Sequence, residues 1–360
     1  MKIVSVVGAR PNFMKMASLD AAFKKSRTIQ NVLVHTGQHY DKSMNQIFFE
    51  ELKLPKPNQS LNVGSGSHAE QTAEIMKRFD PLIEEEKPDA VLVVGDVNST
   101  IACALVAAKR NIPVAHVEAG LRSFDRRMPE EINRILTDHL SKWLFTTSHE
   151  ADNNLAKEGI TKNVHLVGNT MVDCLLKFKP LAEKNGIREK LGVTDYGLVT
   201  LHRAANVDEF DSIKQMVEML ELAATYQPLV FSIHPRTRKQ IAAFGMGERI
   251  EKNARIILTE PLGYLEFLNL QIHSKFILTD SGGIQEEATV LKVPCLTARE
   301  NTERPETVSR GTNTLVGRNM DALRTALDDI ESGNYKKGET LPFWDGKAGE
   351  RICRQLEETG

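Results

Sequence analysis

The chain has 360 residues, 41% of them hydrophobic and 26% charged, the balance of a soluble globular protein long enough for two cores. Its 46 Lys and Arg nearly cancel its 48 Asp and Glu, leaving a formal net charge of -2, so no overall positive field draws it to nucleic acid or to an anionic membrane. Any anionic ligand must then be caught locally.

The first apolar run, residues 3–7, is too short for a signal-peptide core, and no uncharged run approaches a membrane span, so the expected compartment is the cytoplasm. Cys103, Cys174, Cys295 and Cys353 are widely spaced with no CxxC pair, which predicts four small buried apolar residues and neither a metal site nor a disulfide framework. Strand-like runs follow at 2–7, 31–35, 90–94, 114–117, 144–147 and 164–167, with helical patterns between them. One of these spans 99–110, where Ile101, Leu105 and Ala108 share a face before Ile112 and Pro113 end it. A second series of strands runs through 198–201, 229–233, 255–258, 276–278, 295–297 and 315–316. The alternation predicts an α/β protein of two Rossmann-like, doubly wound domains. The first domain is expected at 1–172 with a helix returning over 346–360, the second at 190–345, and 173–189, with its charges, Pro180 and Gly186, as the crossing segment.

Open α/β sheets bind ligands beyond the carboxyl ends of their strands, which predicts a cleft there between the domains, and polar residues cluster at those ends. Gly8-Ala9-Arg10-Pro11 closes the first strand and leads to Lys15; Gly95-Asp96, His116-Val117-Glu118, Leu201-His202-Arg203 and Ile233-His234-Pro235 close four others. A single acid or histidine there is commonly a helix cap; five such ends in one chain point to a site. Glu130 and Arg134 form an i,i+4 pair behind Pro129, which starts a helix, although acids in a first turn also serve the helix dipole. Residues 277–288 read as a buried strand, then Asp280-Ser281-Gly282-Gly283, then a helix from Ile284. Free N–H groups and the missing Cβ atoms of Gly282 and Gly283 would let a phosphate approach, with Glu287 placed to accept from a ribose hydroxyl. A loop that only reverses the chain is the plain alternative.

With these residues in place the chain resembles the non-hydrolysing UDP-N-acetylglucosamine 2-epimerase family nearly end to end. The likeness rests on Gly8-Ala9-Arg10-Pro11 with Lys15, Gln38-His39, Gly95-Asp96, His116 through Arg122, Pro129-Glu130-Glu131 with Asn133-Arg134, Gly168-Asn169-Thr170, His202-Arg203, Asp280 through Glu287, and Thr302-Glu303-Arg304-Pro305-Glu306. The resemblance implies a glycosyltransferase-B-like fold and conversion of UDP-GlcNAc to UDP-ManNAc with no cofactor and no essential metal. It implies Asp96, Glu118, Glu130 and His202 as catalytic residues. Arg10, Lys15, Arg134, His234, Ser281, Gly282, Gly283, Glu287 and Arg304 would hold substrate and UDP, and Gln38, His39 and Gln46 a second nucleotide sugar. A homodimer serving surface polysaccharide synthesis is implied as well. The stretch 64–72 departs from the pattern of the activated bacterial enzymes. The alternatives are a 2-epimerase of a related sugar of the UDP-2,3-diacetamido-glucuronic acid type, for which Arg126 or Arg127 would supply a cation near C6, and a UDP-sugar glycosyltransferase.

Overall fold

A strand made only of aliphatic residues is stable when both of its faces are covered, and Ala90–Val94 is such a strand, buried along its whole length. The computed structural model describes residues 1–37 and 56–359, the side chain of Arg10 excepted. Two parallel sheets organise them. The first comprises β1 (Lys2–Val7), β2 (Gln30–His35), β3 (Gln59–Ser60), β4 (Ala90–Val94), β5 (Val114–Ala119), β6 (Trp143–Thr146) and β7 (Val164–Leu166), in the order β3-β2-β1-β4-β5-β6-β7. The second comprises β8 (Gly197–Thr200), β9 (Leu229–Ser232), β10 (Ile256–Thr259), β11 (Phe276–Thr279), β12 (Cys295–Thr297) and β13 (Asn313–Leu315), in the order β10-β9-β8-β11-β12-β13. Both orders reverse direction once, between β1 and β4 and between β8 and β11, as in doubly wound sheets. The ends of those four strands carry most of the predicted site residues.

The chain divides into two units, Met1–Lys177 with Pro342–Gly360, and Phe178–Leu341. In the first, the helix Ala348–Thr359 packs on the helix Arg10–Phe23 through buried Ile352, Cys353 and Leu356. Its first turn is held by Asp173, whose carboxylate accepts the N–H groups of Ala348 and Gly349 at 3.1 and 2.8 Å. In the second unit a core of Val199, Phe231, Phe276, Leu278 and Leu296 lies against Ile213, Val217 and Leu220 of the helix Phe210–Tyr226. All four cysteines are buried, as expected.

Two local expectations need correction, and one strand was not foreseen. The helix predicted over 99–110 is Asn98–Lys109, and it is not one-faced: Ala102, Cys103, Ala104, Val106 and Ala107 are buried, whereas Leu105 and Ala108 are half-buried. It packs against the helices His68–Glu86 and Pro129–Leu140 as well as the sheet, so small residues occupy nearly every side. Strand β3, two polar residues long, had no apolar signal to find. The helix expected from Ile284 begins at Gly282, which puts both glycines inside its first turn.

Candidate active site

In the first unit the side chain of Asn12 joins the ends of β1 and β4. Its Oδ1 accepts the N–H groups of Gly8 (3.2 Å) and Ala9 (2.9 Å), and its Nδ2 donates to the carbonyl of Val94 at 3.0 Å. Just beyond, Gly95 has a φ of +68°, and a Cβ there would lie 2.9 Å from Lys15 Nζ and 3.5 Å from Glu118 Oε2. Glycine suits both the left-handed conformation and the close approach of these side chains. Lys15 and Glu118, both buried, form an ion pair over this point. Glu118 itself has a φ of +75° at the place where the β5–β6 register shifts between Val117 and Ala119. A non-glycine residue held there costs on the order of 1–2 kcal/mol, and strained carboxylates of this kind concentrate at functional sites.

Asp96 follows Gly95 and remains partly accessible, its side chain 28% exposed against 4% for Arg134. Arg134 donates to Asp96 Oδ2 from Nη2 (2.7 Å) and Nε (3.0 Å), and from Nη1 to Glu131 at 2.6 Å. Sequence reasoning placed Glu131 in a motif and gave it no role. In the structure its buried carboxylate also accepts the N–H groups of Ser123 and Phe124 at 2.9 and 2.8 Å, which fixes the loop ahead of the helix Pro129–Leu140. Glu130 sits half-buried in the first turn of that helix. Arg10 opens the helix Arg10–Phe23. Gln38, His39 and Gln46 lie outside the described residues. Arg127 is 90% exposed and pairs with Asp125 at 2.8 Å, and Arg126 is exposed.

In the second unit Asp280 ends β11 fully buried and gathers the end of β8. It accepts the N–H groups of His202 (2.9 Å) and Arg203 (2.8 Å) and Nδ2 of Asn206 (3.0 Å), and His202 Nδ1 lies 3.1 Å from its Oδ1. Burial pushes the Asp280 carboxyl up, but the bonds from His202, Asn206 and Arg203 outweigh it and hold the group below the usual carboxylate range. Nδ1 of His202 therefore donates, and the two residues form an Asp–His pair whose acid sequence reasoning had not singled out. The His234 ring stands 5.6 Å from that of His202, centroid to centroid. His234 also caps the helix Pro235–Ala243, its Nδ1 accepting the Arg236 N–H at 3.1 Å. Burial, His202 and Arg236 all lower its pKa, so the cap acceptor stays unprotonated.

The helix Gly282–Leu291 begins beside this pair. Ser281 occupies the cap position without a capping bond from its side chain, and no acid stands in the first turn, which leaves the first N–H groups for an anion. A Cβ on Gly282 would lie 2.5 Å from Arg304 Nη1, whereas one on Gly283 would meet nothing within 4 Å. The glycines thus do different work: Gly282 admits the guanidinium, and Gly283 keeps a path open. Arg304 is held by Glu286 at 2.6 Å and Glu303 at 3.5 Å, and Arg299 pairs with Glu303 at 2.8 Å. Glu287, expected at a ribose, accepts from Gln271 Nε2 at 2.7 Å and Tyr264 Oη at 3.5 Å. Among the described residues no group of three or more His, Cys, Asp or Glu is arranged to hold a metal ion, and no helix is long and apolar enough to cross a membrane.

Two doubly wound sheets, with Asp96 and Glu118 at the ends of adjacent strands of one and an uncapped glycine helix start at the switch point of the other, define a protein that handles an anionic small molecule. The family model for UDP-N-acetylglucosamine 2-epimerase matches residues 21–357, and the chain belongs to that family. It is 49% identical over 364 residues to the UDP-N-acetylglucosamine 2-epimerase of Methanocaldococcus jannaschii, covering 99% of both chains. A crystal structure of the M. jannaschii UDP-GlcNAc 2-epimerase in complex with UDP-GlcNAc and UDP has a TM-score of 0.93 at 49% identity, covering 99% of this chain and 100% of that one. The UDP-2,3-diacetamido-2,3-dideoxy-D-glucuronate 2-epimerase of Pseudomonas aeruginosa is 40% identical, again over 99% of both.

Proposed function

We propose that this chain interconverts UDP-GlcNAc and UDP-ManNAc as a non-hydrolysing 2-epimerase. The observation that carries the reading is the pairing of Asp96 with Arg134 and of Glu118 with Lys15 at the ends of neighbouring strands, two carboxylates each set against a fixed cation. The hydrogen at C2 of the sugar is not acidified by any adjacent carbonyl, so direct removal would be very slow. Coupling it to loss of UDP removes that obstacle: a base takes the C2 proton, the C–H electrons form the C1–C2 double bond, and the C1–O bond breaks with its electrons going to UDP. The resulting glycal and UDP then recombine, with a proton delivered to the opposite face of C2.

Charge developing on the leaving diphosphate needs oriented donors, and each such donor is typically worth about 3 kcal/mol in the transition state. Arg10, Lys15, Arg304 and the N–H groups at Gly282 and Gly283 are assigned to it, with Ser281, Glu287 and His234 around the nucleotide. Asp96 and Glu130 exchange the C2 proton and Glu118, tied to Lys15, orients the sugar, with His202 beside the diphosphate and Arg134 fixing Asp96. The enzyme works in the cytoplasm as a homodimer, without a cofactor, and its product supplies surface polysaccharide synthesis. For a sugar of the glucuronic acid type, Arg127 is engaged by Asp125 within its own loop, which leaves Arg126 as the cation it would use.

The test is a proton NMR time course in heavy water with UDP-GlcNAc and no acceptor. Both epimers should appear and carry deuterium at C2. Product without label would refute elimination, turnover only of the uronic acid analogue would transfer the reading to that sugar, and no turnover without an acceptor would favour a glycosyltransferase.

A further inference from the structure

His116, on β5, is fully buried and contacts hydrogen-bonding groups through both ring nitrogens. Its Nε2 lies 2.8 Å from the carbonyl oxygen of Gly95, and its Nδ1 lies 2.6 Å from Asp138 Oδ1. A carbonyl oxygen has no hydrogen to give, so Nε2 must carry one. The other oxygen of Asp138 already takes two donors, the Gly120 N–H at 3.1 Å and Arg122 Nη1 at 2.8 Å. The Arg122 guanidinium and the Gly120 N–H at that oxygen favour the ionised form of the Asp138 carboxyl. As a carboxylate it can only accept, so Nδ1 carries a hydrogen too. The ring is then an imidazolium, and the local charges balance: His116 and Arg122 against Asp138 and Glu158, the last of which accepts from Arg122 Nε and Nη2 at 2.8 and 2.7 Å.

The Gly95 carbonyl belongs to the peptide that leads into Asp96. Glycine at positive φ is the most permissive backbone position available, yet this one is tied down on every side. Its N–H donates to the Val117 carbonyl at 3.0 Å, its carbonyl takes the imidazolium, and the Asp96 carbonyl accepts from Asn133 Nδ2 at 2.9 Å. We propose that His116 is a doubly protonated positioning residue which, balanced by Asp138, locks the Gly95–Asp96 peptide and so aims the Asp96 carboxylate. The proposal rests on the role assigned above to Asp96, and its test separates the two.

The full chain labelled with 15N in histidine, with His116 assigned through His116→Gln, is examined by long-range proton–nitrogen correlation at pH 7.5. Both His116 nitrogens should resonate as protonated, and in Asp138→Asn one of them should move to the unprotonated position. An unprotonated His116 nitrogen in the wild-type protein overturns the proposal, whether or not Asp138→Asn folds. His116→Gln should lower kcat for UDP-GlcNAc ~100-fold, the scale of an approximately 1 Å misplacement, with KM changed less than about 2-fold. An unchanged kcat with a raised KM would overturn it. Should the wild-type chain fail to turn over UDP-GlcNAc, the substrate reading falls alone. The ring nitrogens and the 13C shift of the Gly95 carbonyl, which must differ between wild type and His116→Gln, still decide this one.

Discussion

Adjacent glycines at 282 and 283 should respond in opposite directions to the same substitution. A methyl at Gly282 would stand 2.5 Å from Arg304 Nη1 and 3.1 Å from its Cζ, so the guanidinium must retreat about 1 Å to reach an ordinary contact of roughly 3.5 Å. It is not a free side-chain end, because Glu286 at 2.6 Å and Glu303 at 3.5 Å hold it in a buried site. Breaking such a pair outright costs about 3–5 kcal/mol, and loosening it a fraction of that. Exchanging glycine for alanine inside a helix returns about 0.5–1 kcal/mol. Gly282→Ala should therefore lose about 1–3 kcal/mol in urea unfolding. At Gly283 the methyl meets nothing, so Gly283→Ala should keep the helix gain and be more stable by about 0.5–1 kcal/mol. The same methyl would stand where a diphosphate approaches the first N–H groups, and a loss of about 2 kcal/mol there is a roughly 30-fold weaker Kd for UDP by calorimetry. Gly282→Ala as stable as Gly283→Ala would refute the assignment of Gly282 to Arg304, and unchanged UDP affinity in Gly283→Ala would refute the anion path.

Phe124 has a φ of +58° yet is 75% exposed, so Phe124→Gly should relieve backbone strain with little lost burial. A gain of about 0.5–1 kcal/mol is expected after the entropy of the unfolded glycine is counted, and a loss measured by thermal unfolding would show that the ring is buried in the protein's working state. Asp280→Asn should cost about 2–4 kcal/mol at pH 7, since two backbone N–H groups and His202 lose their carboxylate. Because the folded carboxyl titrates below its unfolded value, the wild-type advantage is full above the unfolded value of about 4 and fades as the pH falls through the folded one. Urea titrations at successive pH values should show the gap closing below pH 4, and a gap that widened there would be incompatible with a stabilised carboxylate.

What the sequence made legible was whatever repeats with a short period or sits beside a strand end. The two strand series were readable because parallel strands covered on both faces are continuous apolar runs, and Gly95-Asp96, His202 and the 280–287 stretch were readable because each directly follows such a run. Partnership was not legible. Arg134 was matched with Glu130 by helix spacing; the structure pairs it with Asp96, 38 residues away, and with Glu131 one turn back. Glu286 and Asp138 are ordinary helix acids in the sequence, and only the fold brings each to a buried arginine.

The missed residues share a physical reason. Asp96, the partly accessible carboxylate, stands at an element end where Gly95 marks the sequence. The acids that hold it and the arginines in place, Glu131, Asp138 and Glu286, lie on helices, where nothing in composition separates them from a solvated helix face. Asp138 is the clearest instance. Its position in the helix Pro129–Leu140 reads as surface, yet it organises His116, Arg122 and the Gly120 N–H at once. On the mechanism proposed above, Asp96 and Glu118 must keep a fixed relation while a proton moves, and that needs such support, because a carboxylate free to rotate would lose to solvent the orientation that lets C2 release its hydrogen as the anomeric bond breaks.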